Sequence, residues 1–139
     1  KAIIWSYYTY DIQRIAQALR DRFAPDSVAT YFGGTPQNAR QDIVNKCQDA
    51  DSDIRFFVGQ PKTGGFGITL HQASTVIYFS NSYDLEIRLQ SEDRAHRLGQ
   101  TKSVTYVDLV SPNTIDDKVL GALRKKIGLA GQEIGRAHV

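Results

Sequence analysis

The segment from Gln90 to Thr101, "QSEDRAHRLGQT", carries the side chains of this sequence that are best suited to phosphate chemistry. Gln90, Arg94 and Arg97 fall within about 60° of one another on a helix of 3.6 residues per turn. A guanidinium group stays charged and binds phosphate oxygens through two parallel hydrogen bonds. Two such groups on one helix face could neutralise charge that develops on a phosphoryl group during its transfer.

A solvated helix surface accounts for the same residues without any chemistry. The spacing of Glu86 to Gln90, and of Gln90 to Arg94, is common on exposed helix faces. Exposed charge pairs contribute little free energy, so their presence indicates no special role. The spacing by itself favours this ordinary interpretation, and a functional one depends on the rest of the chain.

The strands and helices that must position this segment can be predicted from alternating apolar runs and helical patterns. Short apolar runs predict strands at 2–5, 27–32, 54–59, 74–80 and 103–110. Their continuous apolar character is typical of strands buried on both faces of a parallel sheet. Helices are predicted over 12–23, after a Thr35 cap, over 85–97 and after a Thr114 cap. We therefore expect an α/β fold in three layers, with helices on both faces of an open, mainly parallel sheet of about five or six strands.

Ligands of such sheets bind near the carboxyl ends of the strands, which here precede residues 6–8, 33–35 and 59–69. The sequence contains no G-x-x-x-x-G-K-[ST] phosphate-binding loop, no early G-x-G-x-x-G and no G-x-S-x-G nucleophile elbow. Asp108 ends an apolar run, a common place for an acidic residue, and does not by itself indicate a phosphoacceptor. The chain lacks the parts to bind and cleave a nucleotide alone.

Composition excludes several classes of protein. The 139 residues suit one domain, and a net charge of +2 does not identify a nucleic-acid-binding face. The single cysteine, Cys47, excludes an internal disulfide and is expected to be a small apolar residue on a helix. The three histidines are scattered, so we predict no metal site. No apolar run is long enough to span a bilayer, and no signal-peptide pattern opens the chain.

Five segments together carry a family resemblance. "DRAHRLGQT" (93–101) resembles motif VI of superfamily-two helicases, in the version of the Swi/Snf-type ATP-dependent DNA translocases. "KAIIWSYYTYDIQRIAQAL" resembles motif IV, "YFGGTPQNARQDIV" the glycine–threonine–proline segment, "TGGFGITLHQASTVIYFSNSYD" motif V, and "TIDDKVLGALRKK" the brace helix. The segments occur in the family's order and cover nearly the whole chain.

The resemblance implies that residues 1–139 are the second RecA-like lobe of a two-lobe motor, with 114–139 as a brace-like helix and a frayed tail. The first lobe would carry the phosphate-binding loop and the acidic motif for Mg²⁺. ATP and Mg²⁺ would bind between the lobes, and this lobe alone would bind neither and be inactive. Arg94 and Arg97 would act as arginine fingers, while Gln90, Gly65 and Gly67 would contact the nucleotide.

The resemblance also implies a second motor function, which is translocation along double-stranded DNA. The residues expected to contact the DNA are Ser6, Gly34, Thr35, Arg40, Lys62, Thr63 and Thr69. Thr69 replaces the family's usual asparagine, and Lys62 and Thr63 replace its usual basic–alanine pair, so the contacts of that segment depart from the pattern. Tyr7 and Tyr8 are expected to pack in the core or at its rim rather than to stack on bases.

Two other hypotheses remain open from the sequence. The chain could be a non-catalytic RecA-like lobe that serves as a DNA- or protein-binding scaffold, which an intact phosphate-binding loop upstream would argue against. It could also be a small-molecule domain of the receiver type, although the first strand, "AIIWS", lacks the acidic cluster of such domains. Since the chain begins with Lys1, we expect a longer parent protein. Its compactness favours a cytoplasmic bacterial or phage parent, and a eukaryotic parent would be nuclear.

Overall fold

The computed structural model describes residues 1–61, 70, 72–80, 84–95, 103–110 and 115–130, with only the helical backbone described at 93–95, 115–116 and 127–130. Five strands are present in these ranges: β1 (Ala2–Trp5), β2 (Val28–Tyr31), β3 (Phe56–Gly59), β4 (Thr75–Tyr78) and β5 (Thr105–Asp108). The same ranges contain four α-helices: α1 (Thr9–Arg22), α2 (Gln37–Gln48), α3 (Leu85–Ala95) and α4 (Ile115–Ala130).

The sheet is open and its five described strands pair in parallel in the order β2-β3-β1-β4-β5, which confirms the predicted fold class. β1 and β4 are neighbours, yet the chain leaves them in opposite directions. From β1 it runs through α1 towards β2, and from β4 through α3 towards β5. In open α/β sheets, ligands bind beyond the carboxyl ends of strands at such a reversal.

Apolar side chains alternate along the strands and form two cores, one on each face of the sheet. Ile3 and Trp5 of β1 belong to the core that also contains Cys47 of α2. Ile4, which points the other way, belongs to the core formed with Ile12 and Ala16 of α1. Burying one such aliphatic side chain contributes about 1.5–3 kcal/mol. The predicted three-layer arrangement follows from this two-sided burial.

The last residues of the strands form a row across the sheet. The strand register aligns Tyr31 with Gly59, Gly59 with Trp5, Trp5 with Tyr78, and Tyr78 with Asp108. Gly59 fits between its neighbours because it has no side chain: a Cβ atom there would lie 2.7 Å from the Tyr31 carbonyl oxygen. Asp108 is the one charged member of this row, and it lies on the edge strand next to Tyr78.

Two details of the helices correct the sequence prediction. Thr35 does not cap α2, because α2 begins at Gln37 with Pro36 in the cap position. The Thr35 hydroxyl instead accepts a hydrogen bond from the backbone nitrogen of Phe32 at 3.1 Å, within its own loop. The sequence pattern places three basic residues, Arg124, Lys125 and Lys126, near the end of the last helix; in the structure α4 continues to Ala130, so they lie before its last turn. Thr114, its predicted cap, lies outside the described residues.

Candidate functional site

A buried arginine attaches α3 to the edge of the sheet. The Arg88 guanidinium donates two hydrogen bonds to the Asp108 carboxylate of β5, at 2.7 and 3.0 Å. Its Nε donates a third to Glu92, one turn along the same helix, at 3.2 Å. Arg88 is only 3% exposed and Glu92 only 2%. The fork of the guanidinium matches the carboxylate, so this pairing defines both distance and orientation between α3 and β5.

Aromatic and hydroxyl groups complete the attachment. The guanidinium carbon of Arg88 lies 3.5 Å from the centroid of the Tyr78 ring, in a cation–π contact. The hydroxyl groups of Tyr78 and Ser91 are 2.7 Å apart, and the Tyr106 hydroxyl donates to the carbonyl oxygen of Glu92 at 3.1 Å. We call these six residues the α3 anchor: Tyr78, Arg88, Ser91, Glu92, Tyr106 and Asp108.

The register of the sheet explains why the α3 anchor forms. Tyr78 and Asp108 are aligned on adjacent parallel strands, so their side chains project from the same face of the sheet. α3 follows β4 and packs over that face, which brings Arg88 above both side chains. The pairing of residues 88 and 108 therefore depends on strand register and helix placement together.

Burial and charge determine the protonation of the α3 anchor. Burial raises the pKa of the Tyr78 phenol well above its ordinary value, despite the opposing effect of the Arg88 charge. Burial alone would lower the pKa of Arg88, but its hydrogen bond to Asp108 and the nearby negative charges raise that pKa above the ordinary value. The anchor thus combines a permanent cation with a neutral phenol.

The opposite side of α3 carries the residues predicted to contact a nucleotide. With about 100° of rotation per residue, Gln90 lies about 160° around the helix from both Arg88 and Glu92. Gln90 is partly exposed and donates a weak hydrogen bond of 3.4 Å to Glu86, the spacing expected of a surface pair. α3 is therefore anchored on one side and presents Gln90 on the other.

A network of neutral groups joins the loops on the other part of the carboxyl edge. The Gln60 side chain donates to the Tyr7 carbonyl oxygen at 3.2 Å and accepts from the Gly33 backbone nitrogen at 3.3 Å. It thereby links the loops that follow β1 and β2. Ser80, after β4, accepts from the Tyr7 backbone nitrogen at 2.8 Å. We call Ser6, Thr35, Gln60 and Ser80 the loop network.

The loop network contains two predicted DNA-contact residues whose side chains are buried. Ser6 is 0% exposed and its hydroxyl lies 3.2 Å from that of Ser80. Thr35 is 7% exposed and its hydroxyl bonds within its own loop. In this conformation both hydroxyls order the loops rather than line the surface. In the same loop as Thr35, Gly33 and Gly34 are exposed residues.

Arg40, another predicted DNA-contact residue, folds back over the same loop. Its Nε donates to the Thr35 carbonyl oxygen at 3.2 Å, and its guanidinium carbon lies 5.6 Å from the Tyr31 ring centroid. The side chain remains partly exposed. Arg40 thus supports the glycine loop and keeps a positive charge beside it.

Tyr7 and Tyr8 contradict the expectation that they pack in the core or at its rim. They are 49% and 60% exposed, and their rings contact each other edge to face with centroids 5.0 Å apart. The turn between β1 and α1 holds both residues beyond the sheet, where no strand or helix covers them in the described part of the chain. Cys47, by contrast, is buried as predicted, and burial raises the pKa of its thiol to about 11.

Comparison with known proteins identifies the family. Residues 1–99 match the family described as the helicase conserved C-terminal domain. The chain belongs to this family. Its relatives include the ATP-dependent helicase fft2 of Schizosaccharomyces pombe, which is 39% identical over 129 residues, 93% of this chain and 10% of that protein. The SWI/SNF chromatin-remodeling complex subunit snf22 of the same organism is 34% identical over 102 residues, 73% of this chain and 6% of that protein.

A solved structure agrees with these sequence relatives. The crystal structure of the C-terminal part of the Fun30 ATPase domain superposes with a TM-score of 0.78 at 33% identity, covering 88% of this chain and 39% of that one. The resemblance to the second RecA-like lobe of a Swi/Snf-type helicase is thereby confirmed. This helicase C-terminal domain spans a tenth or less of the length of the two relatives named above. Since both are eukaryotic, the preference for a bacterial or phage parent is not supported.

The predicted site residues of this helicase C-terminal domain lie in different parts of the structure, and some lie outside the described residues. Gln90 and Arg94 share α3, whereas Ser6, Gly34 and Thr35 belong to the loops beyond β1 and β2, and Arg40 lies in the first turn of α2. The roles of the predicted site residues outside the described ranges stay predictions; these residues are Lys62, Thr63, Gly65, Gly67, Thr69 and Arg97. Among the described residues no helix is long and apolar enough to cross a membrane, and no group of His, Cys, Asp or Glu could hold a metal ion.

The sequence did not reveal the residues of this helicase C-terminal domain that attach α3 to the sheet or join the loops. Arg88, Glu92, Gln60 and Ser80 were not singled out, and Asp108 was considered only as an isolated carboxylate. A local signal existed for one pair: Arg88 and Glu92 have helical i,i+4 spacing on the side of α3 opposite Gln90. No local pattern signals the pairing of Arg88 with Asp108, which are 20 positions apart.

Proposed function

We propose that this helicase C-terminal domain is the second motor lobe of a DNA-dependent ATPase that moves along double-stranded DNA. The observation that carries the proposal is the two-sided α3, which Arg88 anchors to the sheet on one side while Gln90 stays partly exposed on the other. Family membership supports an ATP-dependent motor, and in a eukaryotic cell such a motor would act in the nucleus.

In this proposal, ATP is held by a first lobe of the same parent protein and lies against the outer face of α3. When the lobes close, Arg94 and Arg97 reach the phosphate groups. Attack of water on the γ-phosphorus, with departure of ADP, increases charge on oxygens that the guanidinium groups neutralise. Mg²⁺ would offset further phosphate charge, and the proposal assigns it to ligands of the first lobe because the described residues offer no ligand cluster.

The DNA track of the proposal lies at the other part of the carboxyl edge. The exposed glycine loop at Gly33 and Gly34, which lets a ligand approach the backbone closely, and the charge of Arg40 suit the sugar–phosphate backbone of one strand. Ser6 and Thr35 act there by ordering the loops through their buried hydroxyls. Such contacts do not depend on base sequence, as a translocating motor requires.

The finger assignment is tested in a two-lobe protein that contains this domain. We expect Arg94→Ala and Arg97→Ala each to lower DNA-stimulated ATP turnover by about a thousandfold, because an arginine finger contributes on that order to the rate. Arg124→Ala, which removes an exposed guanidinium from α4, is the matched control and should retain parental turnover. Parental turnover in both finger variants would refute the assignment and favour the scaffold alternative.

The DNA assignment is tested by titrating the same protein with duplex DNA at increasing salt. Binding through phosphate contacts releases counterions, so affinity should fall steeply, with a slope of about one unit of log K lost per contact and decade of salt. Arg40→Gln should reduce that slope by about one unit, and Arg124→Gln should leave it unchanged. An affinity that does not change with salt concentration would contradict a phosphate-tracking surface.

A further inference from the structure

Burying the α3 anchor costs free energy, so a gain in stability does not by itself explain why it is present. Arg88, Glu92 and Asp108 bring three ionisable side chains into the interior, each with little or no exposure to solvent. Removing charges from water costs several kcal/mol per ion, and well-packed apolar residues of similar volume often stabilise a fold equally well or better. The distinctive property of the anchor is therefore its geometry, because a forked ion pair allows only one distance and one orientation.

The geometry of the anchor restricts rotation and sliding of α3. Arg88, Ser91 and Glu92 span little more than one helical turn and are held from two strands, by Tyr78 of β4 and by Tyr106 and Asp108 of β5. Contacts from two directions within one turn oppose both rotation of the helix about its axis and sliding along it. The last attachment, at the Glu92 carbonyl oxygen, is about 3 Å of helical rise before Arg94.

We propose that Arg88, Glu92 and Asp108 are positioning residues, which orient the opposite side of α3 so that Gln90 and Arg94 meet the nucleotide correctly. This inference rests on the proposed function, since it requires that α3 acts on ATP. A displacement of about 1 Å of a catalytic group costs up to a hundredfold in rate. The ion pair thus affects catalysis through the orientation of α3, without touching the nucleotide.

The test replaces the ion pair by apolar residues in the two-lobe protein. Arg88→Met combined with Glu92→Met and Asp108→Leu removes the cation and both carboxylates together, so none of the three buried charges is left without its partner. We expect kcat for DNA-stimulated ATP hydrolysis to fall by about tenfold to a hundredfold while KM for ATP changes by less than about threefold, as for loss of a transition-state interaction. Asp42→Asn with Lys46→Gln removes an exposed ion pair of α2 and is the matched control, expected to keep parental kcat and KM.

A second background separates positioning from general damage. In a protein that carries Arg94→Ala and Arg97→Ala, the anchor substitutions should lower single-turnover hydrolysis by no more than about twofold, because there are no fingers left to position. Two results would overturn the inference. One is that the anchor substitutions lower hydrolysis by the same factor with and without the two arginines; the other is parental kcat in the anchor variant while the arginine substitutions abolish turnover. If the arginine substitutions themselves have no effect, the proposed function fails instead.

A milder variant keeps the test decisive if the protein with the combined anchor substitutions does not fold. Asp108→Asn preserves the shape of the side chain and removes only its charge, which leaves one forked partner weakened. At an equal folded fraction, measured by circular dichroism, its kcat should fall by about threefold to tenfold with little change in KM. Parental kcat in this variant would overturn the inference as well.

Discussion

The two parts of the carboxyl edge are held by different chemistry. The α3 anchor beside β4 and β5 uses buried charge, with Arg88 bonded to Asp108 at 2.7 and 3.0 Å. The loop network beside β1, β2 and β3 uses neutral hydroxyl and amide groups, with bonds of 2.8 to 3.4 Å around Gln60, Ser80 and Thr35. The same sheet edge therefore combines one strongly directional attachment with several weaker ones.

The difference matches the demands of the two proposed contacts. Phosphoryl transfer tolerates little misplacement of its catalytic groups, and a forked ion pair restricts geometry accordingly. Backbone contacts to DNA must form and break at every step along a polymer of variable local shape, and neutral hydrogen bonds of modest net strength permit such adjustment. We expect the energetic consequences of substitutions to differ between the two parts in the same order.

The largest expected loss of stability comes from breaking the α3 anchor on one side. Arg88→Met should lower the free energy of unfolding by about 3–5 kcal/mol, because Asp108 and Glu92 remain buried without their cation. Urea unfolding of the domain measures this effect. Lys46→Met, at an exposed ion pair of 3.1 Å, should cost less than about 1 kcal/mol. Equal losses in the two variants would remove the distinction between buried and surface charge.

A smaller loss is expected in the row of strand ends that runs through both parts. Gly59→Ala places a methyl group 2.7 Å from the Tyr31 carbonyl oxygen, so β2 or β3 must shift. We expect a cost of about 1–3 kcal/mol, as for other overpacked interiors. Gly33→Ala, whose added carbon meets nothing within 4 Å, serves as the control in thermal unfolding. A Gly59 variant as stable as the Gly33 variant would show that the row is not tightly packed.

The smallest loss is expected in the loop network. Gln60→Ala removes neutral hydrogen bonds to Tyr7, Thr9 and Gly33 and should cost about 1 kcal/mol. Gln41→Ala removes an exposed side-chain hydrogen bond from Gln41 to Asn45 within α2 and should cost about 0.5 kcal/mol or less. Hydrogen exchange at the backbone amide of Gly33 should accelerate in the Gln60 variant alone. A loss as large as that of Arg88→Met would contradict the contrast between the two parts.

Much of the fold could be predicted because it depends on local patterns. The bounds of β1, Ala2–Trp5, were predicted to the residue, since a short apolar run between polar segments has little freedom. The predicted start of α2 was wrong. The Thr35 hydroxyl can bond either within its own loop or to the helix, and the sequence does not distinguish these two partners. Strand order and register, which align Tyr78 with Asp108, depend on tertiary packing.

The candidate site was predictable to a more limited extent. Helical spacing placed Gln90 and Arg94 on one side of α3, and the structure has α3 as a helix over both residues. The buried state of Ser6 could not be inferred, because its pairing with Ser80 joins residues 74 positions apart. The same reason hid the pairing of Arg88 with Asp108, whose contact exists only once β4, α3 and β5 are assembled.

The central claim is that Arg94 of α3 and Arg97, which follows it in the chain, are arginine fingers for a nucleotide held by another lobe. It is tested most directly by separating ATP binding from ATP hydrolysis. The measurement is single-turnover hydrolysis by a two-lobe protein with Arg94→Ala and Arg97→Ala, alongside the dissociation constant for ATP. We predict that hydrolysis slows by about a thousandfold or more while ATP affinity falls by about tenfold or less. Hydrolysis at the parental rate, or a loss accounted for entirely by weaker ATP binding, would contradict the claim.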